Sequence, residues 1–375
     1  MNKKIWIAIV IVIVVILGIG VVKSKTPKIT DNVPIKIGAA LALTGDASTW
    51  GEAEKNGINL AVNEINSNGG VNGKRIEVVF EDTKSSSKDS ISAVQKLVSF
   101  DGLSYIIGPT WLDSYPGAQG VVKDKNVLMI SPSASITAVQ QGTPTKNVFS
   151  VWYRVDSLTD GLAKAIKQQG KAKVALVFQN DPYYTEFIDF FKKAAQAEGI
   201  QIISTDLINP GTSDFKTTFA KIKAGGGDGV VFGMYDEKMV AGFLRDHKQI
   251  IPGISTYSND VVRQFVESNN DYKQYLEGIT FVENSPSSQS FVDKYKKAYS
   301  TGPVLSASTA YDTIMIMADV LKKGQQNPLE YIGSYSFDTV SFGNVKFDSI
   351  GGVVTQNKQY QVGQVKNGVI VPINQ

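Results

Sequence analysis

Few side chains in this 375-residue chain could do covalent or acid–base chemistry. There is one histidine, His247, and no cysteine. A histidine base needs positioned partners, and the sequence around His247 suggests none. Without cysteine, disulfides, thiolate metal sites and cysteine nucleophiles are excluded. A single histidine leaves little for a transition metal to bind. No G-x-S-x-G nucleophile turn occurs. Ser85-Ser86-Ser87-Lys88 matches S-x-x-K by letters only, within a polar loop. Gly73-Lys74 has the look of a phosphate loop, but Asn68 and Arg75 stand where glycine and Ser or Thr are needed. The pair also precedes a strand, whereas a phosphate loop follows one. No G-x-G-x-x-G follows a strand. The sequence therefore predicts no catalytic residue, no metal site, no cofactor and no enzyme.

What remains are polar and aromatic residues at the carboxyl ends of predicted strands, where open α/β sheets bind ligands. They fall in residues 43–50, 108–114 and 131–135 of the first half, and in residues 181–184, 233–237 and 257–260 of the second. Backbone N–H groups at helix starts favour a carboxylate, and serine hydroxyls add donors. A carboxylate on the facing lobe would hold an ammonium by a charge-assisted hydrogen bond. Tyrosines offer an apolar face and a polar tip. The combination suits a small zwitterion. Each residue also has an ordinary explanation: Asp260 as a helix cap, Ser135 as another, Trp50 packed under its own loop, Tyr183 and Tyr184 as turn residues.

The elements that must position these residues alternate regularly. Residues 35–42 read as a strand buried on both faces. Ile58, Ala61, Val62 and Ile65 mark a helix that stops at Gly69-Gly70. Strands at 76–80, 105–107 and 127–130 follow, with helices between. The rhythm restarts with strands at 174–178, 200–203, 229–232, 254–257 and 278–282. Helices at 291–299 and 310–321 lead to a β-rich tail. A chain of 375 residues exceeds one compact core. Two doubly wound α/β lobes with mostly parallel sheets are expected.

Residues 5–22 are uncharged and apolar, long enough at roughly 27 Å of helix to cross a bilayer core. Lys3 and Lys4 precede them. This segment is expected to be a membrane anchor or a cleaved signal, with residues 1–32 as anchor plus tether and the body outside the cytoplasm. The formal charge is +3, with 38 basic and 35 acidic residues. Setting aside the five lysines of the first 28 residues leaves 33 basic against 35 acidic, which argues against nucleic acid as a partner.

Several runs resemble the type I periplasmic binding proteins of the leucine/isoleucine/valine-binding branch. They are LTGDASTWGEAEKNGINLAVNEINSNGGVNGKRIEVVFED (residues 43–82), YIIGP (105–109) and VLMISPSAS (127–135). NDPYY (180–184), PGTSDFKTTFAKIKA (210–224), AYDTIMI (310–316) and FGNVKFD (342–348) agree. The resemblance covers nearly everything after residue 33. It implies two Rossmann-like lobes joined by a three-crossover hinge that closes on a ligand. The crossovers are expected near residues 152–156, 282–285 and 349–353. Lobe 1 would comprise 33–152 and 286–349, and lobe 2 would comprise 153–285 and 350–375. The resemblance further implies an extracytoplasmic solute-binding component that delivers an amino acid, or a similar small polar solute, to an ABC permease. The alternative is a ligand-sensing input protein acting through a separate membrane receptor.

Carried over by residue, Trp50 matches an aromatic that covers the ligand. Ser133, Ala134 and Ser135 match the segment holding the α-carboxylate and α-ammonium. Tyr183 and Tyr235 match second-lobe tyrosines. Asp260 matches, in place of the usual glutamate, the carboxylate facing the ammonium. Leu112 stands where the family has a carboxylate-binding serine, with only its backbone N–H to offer. Asp113 beside it would disfavour a carboxylate, and Ser114 is the nearest hydroxyl. Tyr184 replaces a usual glycine and is expected to narrow the cleft.

Overall fold

The computed structural model describes residues 29, 31–111, 115–140, 145–267, 273–324, 326–355 and 359–373. The expected anchor and Leu112 lie outside the described residues. Among the described residues no helix is long and apolar enough to cross a membrane.

The first half builds β1 (Asp31–Leu41), α1 (Ser48–Ser67), β2 (Lys74–Asp82), α2 (Ser87–Gln95), β3 (Tyr105–Ile107), α3 (Tyr115–Val122), β4 (Leu128–Ser131), α4 (Ile136–Val139) and β5 (Val148–Ser150). The strands form one parallel sheet in the order β2-β1-β3-β4-β5. Ile37, Ala39, Ala40 and Leu41 of β1 are fully buried. Helices cover both faces of such a sheet, so its strands need no polar side.

The chain then forms α5 (Val155–Gln168), β6 (Lys173–Gln179), α6 (Pro182–Ala197), β7 (Gln201–Ile208), α7 (Lys216–Ala224), β8 (Gly229–Gly233), α8 (Glu237–Ile250), β9 (Ser255–Ser258), α9 (Val261–Glu267) and β10 (Thr280–Asn284). Strands β7-β6-β8-β9-β10 repeat the order of the first sheet. In both sheets the order reverses beside the first strand of the lobe, and the crevice outside the strand ends at that reversal is the favoured ligand position.

The chain returns through α10 (Gln289–Tyr299), α11 (Leu305–Lys323) and α12 (Pro328–Ser334), and a small antiparallel sheet of β11 (Ser336–Thr339), β12 (Gly343–Phe347) and β13 (Val353–Thr355). These helices pack on α1. Lys294 Nζ pairs with Glu64 at 2.5 Å, and the Tyr299 hydroxyl donates to the Asn56 carbonyl at 2.8 Å. The buried Asp312 carboxylate accepts the Val340 and Ser341 N–H groups at 2.7 and 3.0 Å, fastening the small sheet to α11. Finally β14 (Tyr360–Lys366) and β15 (Val369–Ile373) join the second sheet antiparallel, beside β10. The strand at 336–339 and the helix at 328–334 have no counterpart in the sequence reading. Their apolar residues are too few to set a period.

The chain passes between the two sheets three times: from β5 to α5, from β10 to α10, and from β13 to β14. The passages touch one another. Ser150 N–H donates to the Gly351 carbonyl at 2.8 Å, and Ser285 N–H donates to the Gln359 carbonyl at 3.0 Å. Arg154 pairs with Asp156 at 2.9 Å and with Asp348 at 2.5 Å.

The approach of α1 to α11 requires a glycine. A Cβ on Gly57 would collide with the Ala307 carbonyl, a backbone atom that cannot rotate away. Gly120 in α3 has nothing within 4 Å of such a Cβ. Gly57→Ala should therefore destabilise by about 1–3 kcal/mol despite alanine's better helix propensity. Gly120→Ala should stabilise by roughly 0.5–1 kcal/mol. Urea unfolding of the two variants checks both signs, and a stabilised Gly57→Ala would contradict the close approach.

Candidate functional site

The loop carrying Trp50 is held from below. Asp82, at the end of β2, accepts the N–H groups of Leu43, Thr44 and Lys84 and the Thr44 hydroxyl. Against the opposing effect of burial, these bonds hold its carboxyl below the usual range. Ser85 accepts the Ala47 N–H and donates to the Thr44 carbonyl, both at 2.9 Å. The serine that matched a catalytic motif by letters thus works as a loop clamp.

Trp50, in the first turn of α1, begins a continuous aromatic band. Its ring lies 5.8 Å from Trp111 and 5.7 Å from Trp152. Trp152 packs 4.7 Å from Tyr153, in the first crossover. The Tyr153 hydroxyl stands 3.0 Å from that of Tyr183. Tyr183 contacts Tyr184 at 5.3 Å, and Tyr184 contacts Tyr235 at 4.8 Å. Seven rings thus connect the carboxyl end of β3 with that of β8, passing through Tyr153. Trp111 adopts φ +63°, uncommon for a bulky residue, and its N–H donates to Ser133 Oγ at 3.2 Å.

Tyr183 sits on the first turn of α6, which Asp181 caps by accepting the Tyr183 N–H at 2.8 Å. Burial, with the Asp260 charge nearby, pushes its hydroxyl well above its ordinary value. Tyr235 follows β8 and is 46% exposed. Tyr184 does not narrow the cleft as expected. Its ring is fully buried against Phe178, 5.3 Å away, in space that Gly233 leaves open. A Cβ on Gly233 would strike the Tyr184 ring.

Ser133, Ala134 and Ser135 follow β4 and are all buried. Ala134 N–H donates to Ser131 Oγ at 2.9 Å, and its carbonyl accepts the Ser150 hydroxyl at 2.7 Å. The Ser135 hydroxyl donates to Glu186 Oε1 of α6 at 2.9 Å, a direct link between the two halves. Asp260 follows β9. Asn259 donates to its carboxylate at 3.0 Å. Burial, then the charge of Glu283, raises its pKa to about 6, against opposing hydrogen bonds from its own N–H and that of Val261. Asp260 thus directly precedes α9, and its carboxylate receives the Asn259 amide and the N–H at the helix start. Glu283 itself is bound by Arg263 through two bonds of 2.5 and 2.6 Å.

The sequence reading missed Glu54. It lies on α1, one turn after Trp50, and is fully buried. The Thr110 hydroxyl donates to its Oε2 at 2.5 Å, while Oε1 has no hydrogen-bond partner. Burial raises its pKa to about 7, with Ser133 and Thr110 opposing the rise. The available signal was its place in the stripe of Ile58, Ala61 and Ile65: a carboxylate on the apolar face of an amphipathic helix. His247, in contrast, is a core residue. Its ring packs on Phe219 and Phe243, its Nε2 stands 2.9 Å from the Ile254 carbonyl, and burial lowers its pKa. Among the described residues no group of three or more acids or histidines could hold a metal.

Glu54 sets a pH dependence. Its folded pKa lies above the ordinary 4.5, so between those values the folded chain binds more protons than the unfolded one. Its contribution is best below pH 4.5 and is lost as pH rises toward 7, by about 3 kcal/mol in full. Glu54→Gln should therefore gain stability on the parent between pH 5 and pH 8, by roughly 1–3 kcal/mol. Thermal unfolding at the two pH values reads this directly, and a difference that does not change with pH would contradict it.

A family model described as periplasmic binding protein matches residues 34–368. The leucine-, isoleucine-, valine-, threonine- and alanine-binding protein of Pseudomonas aeruginosa is 27% identical over 331 residues, 84% of this chain and 86% of its own. The Leu/Ile/Val-binding protein BraC3 of Rhizobium johnstonii is 33% identical over 202 residues, 54% of each chain. The match to BraC3 thus spans about half of either protein. An ABC transporter substrate-binding protein from Desulfitobacterium hafniense, in complex with leucine, has a TM-score of 0.74 at 20% identity. The alignment covers 91% of this chain and 100% of that one. That likeness shows the fold: two α/β lobes of the type I periplasmic binding kind. The chain belongs to the periplasmic binding proteins, extracytoplasmic solute-binding proteins and not enzymes.

Proposed function

We propose that this protein is the solute-binding component of an ABC importer. It takes a small polar solute bearing an ammonium group between its two lobes, and hands it to a permease. Residues 5–22 tether it to the outer face of the membrane. The relatives named for branched-chain amino acids support amino acids as the first solutes to test.

The observation that carries this reading is the meeting of Trp50, Ser133, Ser135, Tyr183, Tyr235 and Asp260 on the carboxyl rims of two sheets with the same strand order. Three crossovers support lobe closure as the mechanism, since a few chain passages between two lobes can act as a hinge. Solute bound in the cleft would favour the closed form by its contacts to both lobes.

Cross-linking the full-length chain in its own membranes, with and without solute, tests the partner. Solute-dependent capture of permease subunits is expected, and capture of a kinase or chemoreceptor in their place would overturn the importer role. Asp260→Asn should leave the fold intact and weaken an ammonium-bearing solute about 10- to 100-fold, as measured by calorimetry. Unchanged affinity would remove Asp260 from the site.

A further inference from the structure

Among the described residues, few groups on the rims of the two sheets are free to receive a carboxylate. Of the donors that an α-carboxylate would use in the serine segment, one hydroxyl and one N–H already have protein partners, and the other hydroxyl lies beside the Glu54 carboxylate. Ala134 N–H is taken by Ser131 Oγ. The Ser135 hydroxyl is taken by Glu186. The Ser133 hydroxyl receives the Trp111 N–H and lies against Glu54. The arginines flanking the two crossings are also committed, Arg154 to Asp156 and Asp348, and Arg263 to Glu283.

Acceptors and ring faces are plentiful by comparison. Glu54 Oε1 and Glu186 Oε2 are buried without hydrogen-bond partners. Burial raises the Tyr153 and Tyr183 hydroxyls above their ordinary values, and the Asp260 charge adds to the rise in both. Buried carboxylates in this setting would repel a ligand carboxylate and attract a cation. Trp50, Trp111 and Trp152 meet at centroid distances below 6 Å, and aromatic faces attract organic cations, most strongly where water is excluded.

We propose that the solute is a small organic cation without a carboxylate, its ammonium held by Asp260 and its body against the tryptophan and tyrosine rings. This rests on the solute-binding reading above and narrows its ligand. The serine segment then acts as a lobe-to-lobe latch through Ser135 and Glu186, and does not act as a carboxylate receptor.

Calorimetry on the purified full-length chain with matched solutes tests it. The set is isoleucine, its decarboxylated counterpart 2-methylbutylamine, tetramethylammonium and the neutral isobutyramide. An amine or quaternary cation should bind at least about tenfold tighter than isoleucine. Trp50→Leu keeps apolar bulk but removes the ring, and should weaken the cation about 3- to 30-fold. Isoleucine binding as tightly as its amine, or the neutral amide binding tighter than either, would overturn the proposal and leave the solute-binding reading standing. Binding by none of the four would also overturn it, while the importer reading falls only if cross-linking finds no permease.

Discussion

The Ser150 hydroxyl donates to the Ala134 carbonyl and accepts the Trp152 N–H at 3.0 Å. One side chain thereby ties the floor of the cleft to the strand that crosses between lobes. Trp152 and Tyr153 follow immediately, and each joins rings on a different side: Trp50 toward the first sheet, Tyr183 toward the second. Arg154 then anchors the crossing to Asp348, between β12 and β13, and through its N–H to Gln359 in the third passage. Cleft, aromatic band and hinge share five consecutive residues. A change of lobe angle must therefore alter the band, and a solute resting on the band acts directly on the lobe angle.

The cost of this arrangement is local. Glu54, Asp260 and Asp312 are carboxylates whose burial raises them to about 7, 6 and 7. Asp312 serves structure, since both of its oxygens accept backbone N–H groups. Glu54 keeps one buried oxygen without a partner, and such an acceptor destabilises the chain alone and becomes favourable once a donor arrives. The stability lost there is offset elsewhere by fully buried parallel strands such as β4 and β8, whose residues are all shielded from water.

The sheets were legible because their strands are uninterrupted apolar runs of the right length, bounded by Gly and polar turns. Residues 35–42, 174–178 and 229–232 needed no other signal. The rim segments were legible for a related reason: ligands meet α/β sheets at strand ends, so residues 181–184, 233–237 and 257–260 could be named from order, while the single residues Tyr183, Tyr235 and Asp260 came from the resemblance. Glu54 was not, because a helix pattern reports periodicity and hides an acid among apolar neighbours. Tyr184 misled, because the space that Gly233 leaves for its ring comes from a strand fifty residues away. The Ser135–Glu186 link joins residues whose proximity exists only once both lobes are folded.

Three of the four tryptophans, Trp50, Trp111 and Trp152, belong to the aromatic band, and the fourth, Trp6, lies in the N-terminal apolar run. Intrinsic tryptophan emission of the full-length chain, titrated with a solute whose binding heat is measured in parallel, is thus the most direct test of where solute is held. A saturable one-site change in emission, over the same concentrations as the heat, is the predicted result. Clear binding heat with emission unmoved would place the solute away from the band and contradict the account.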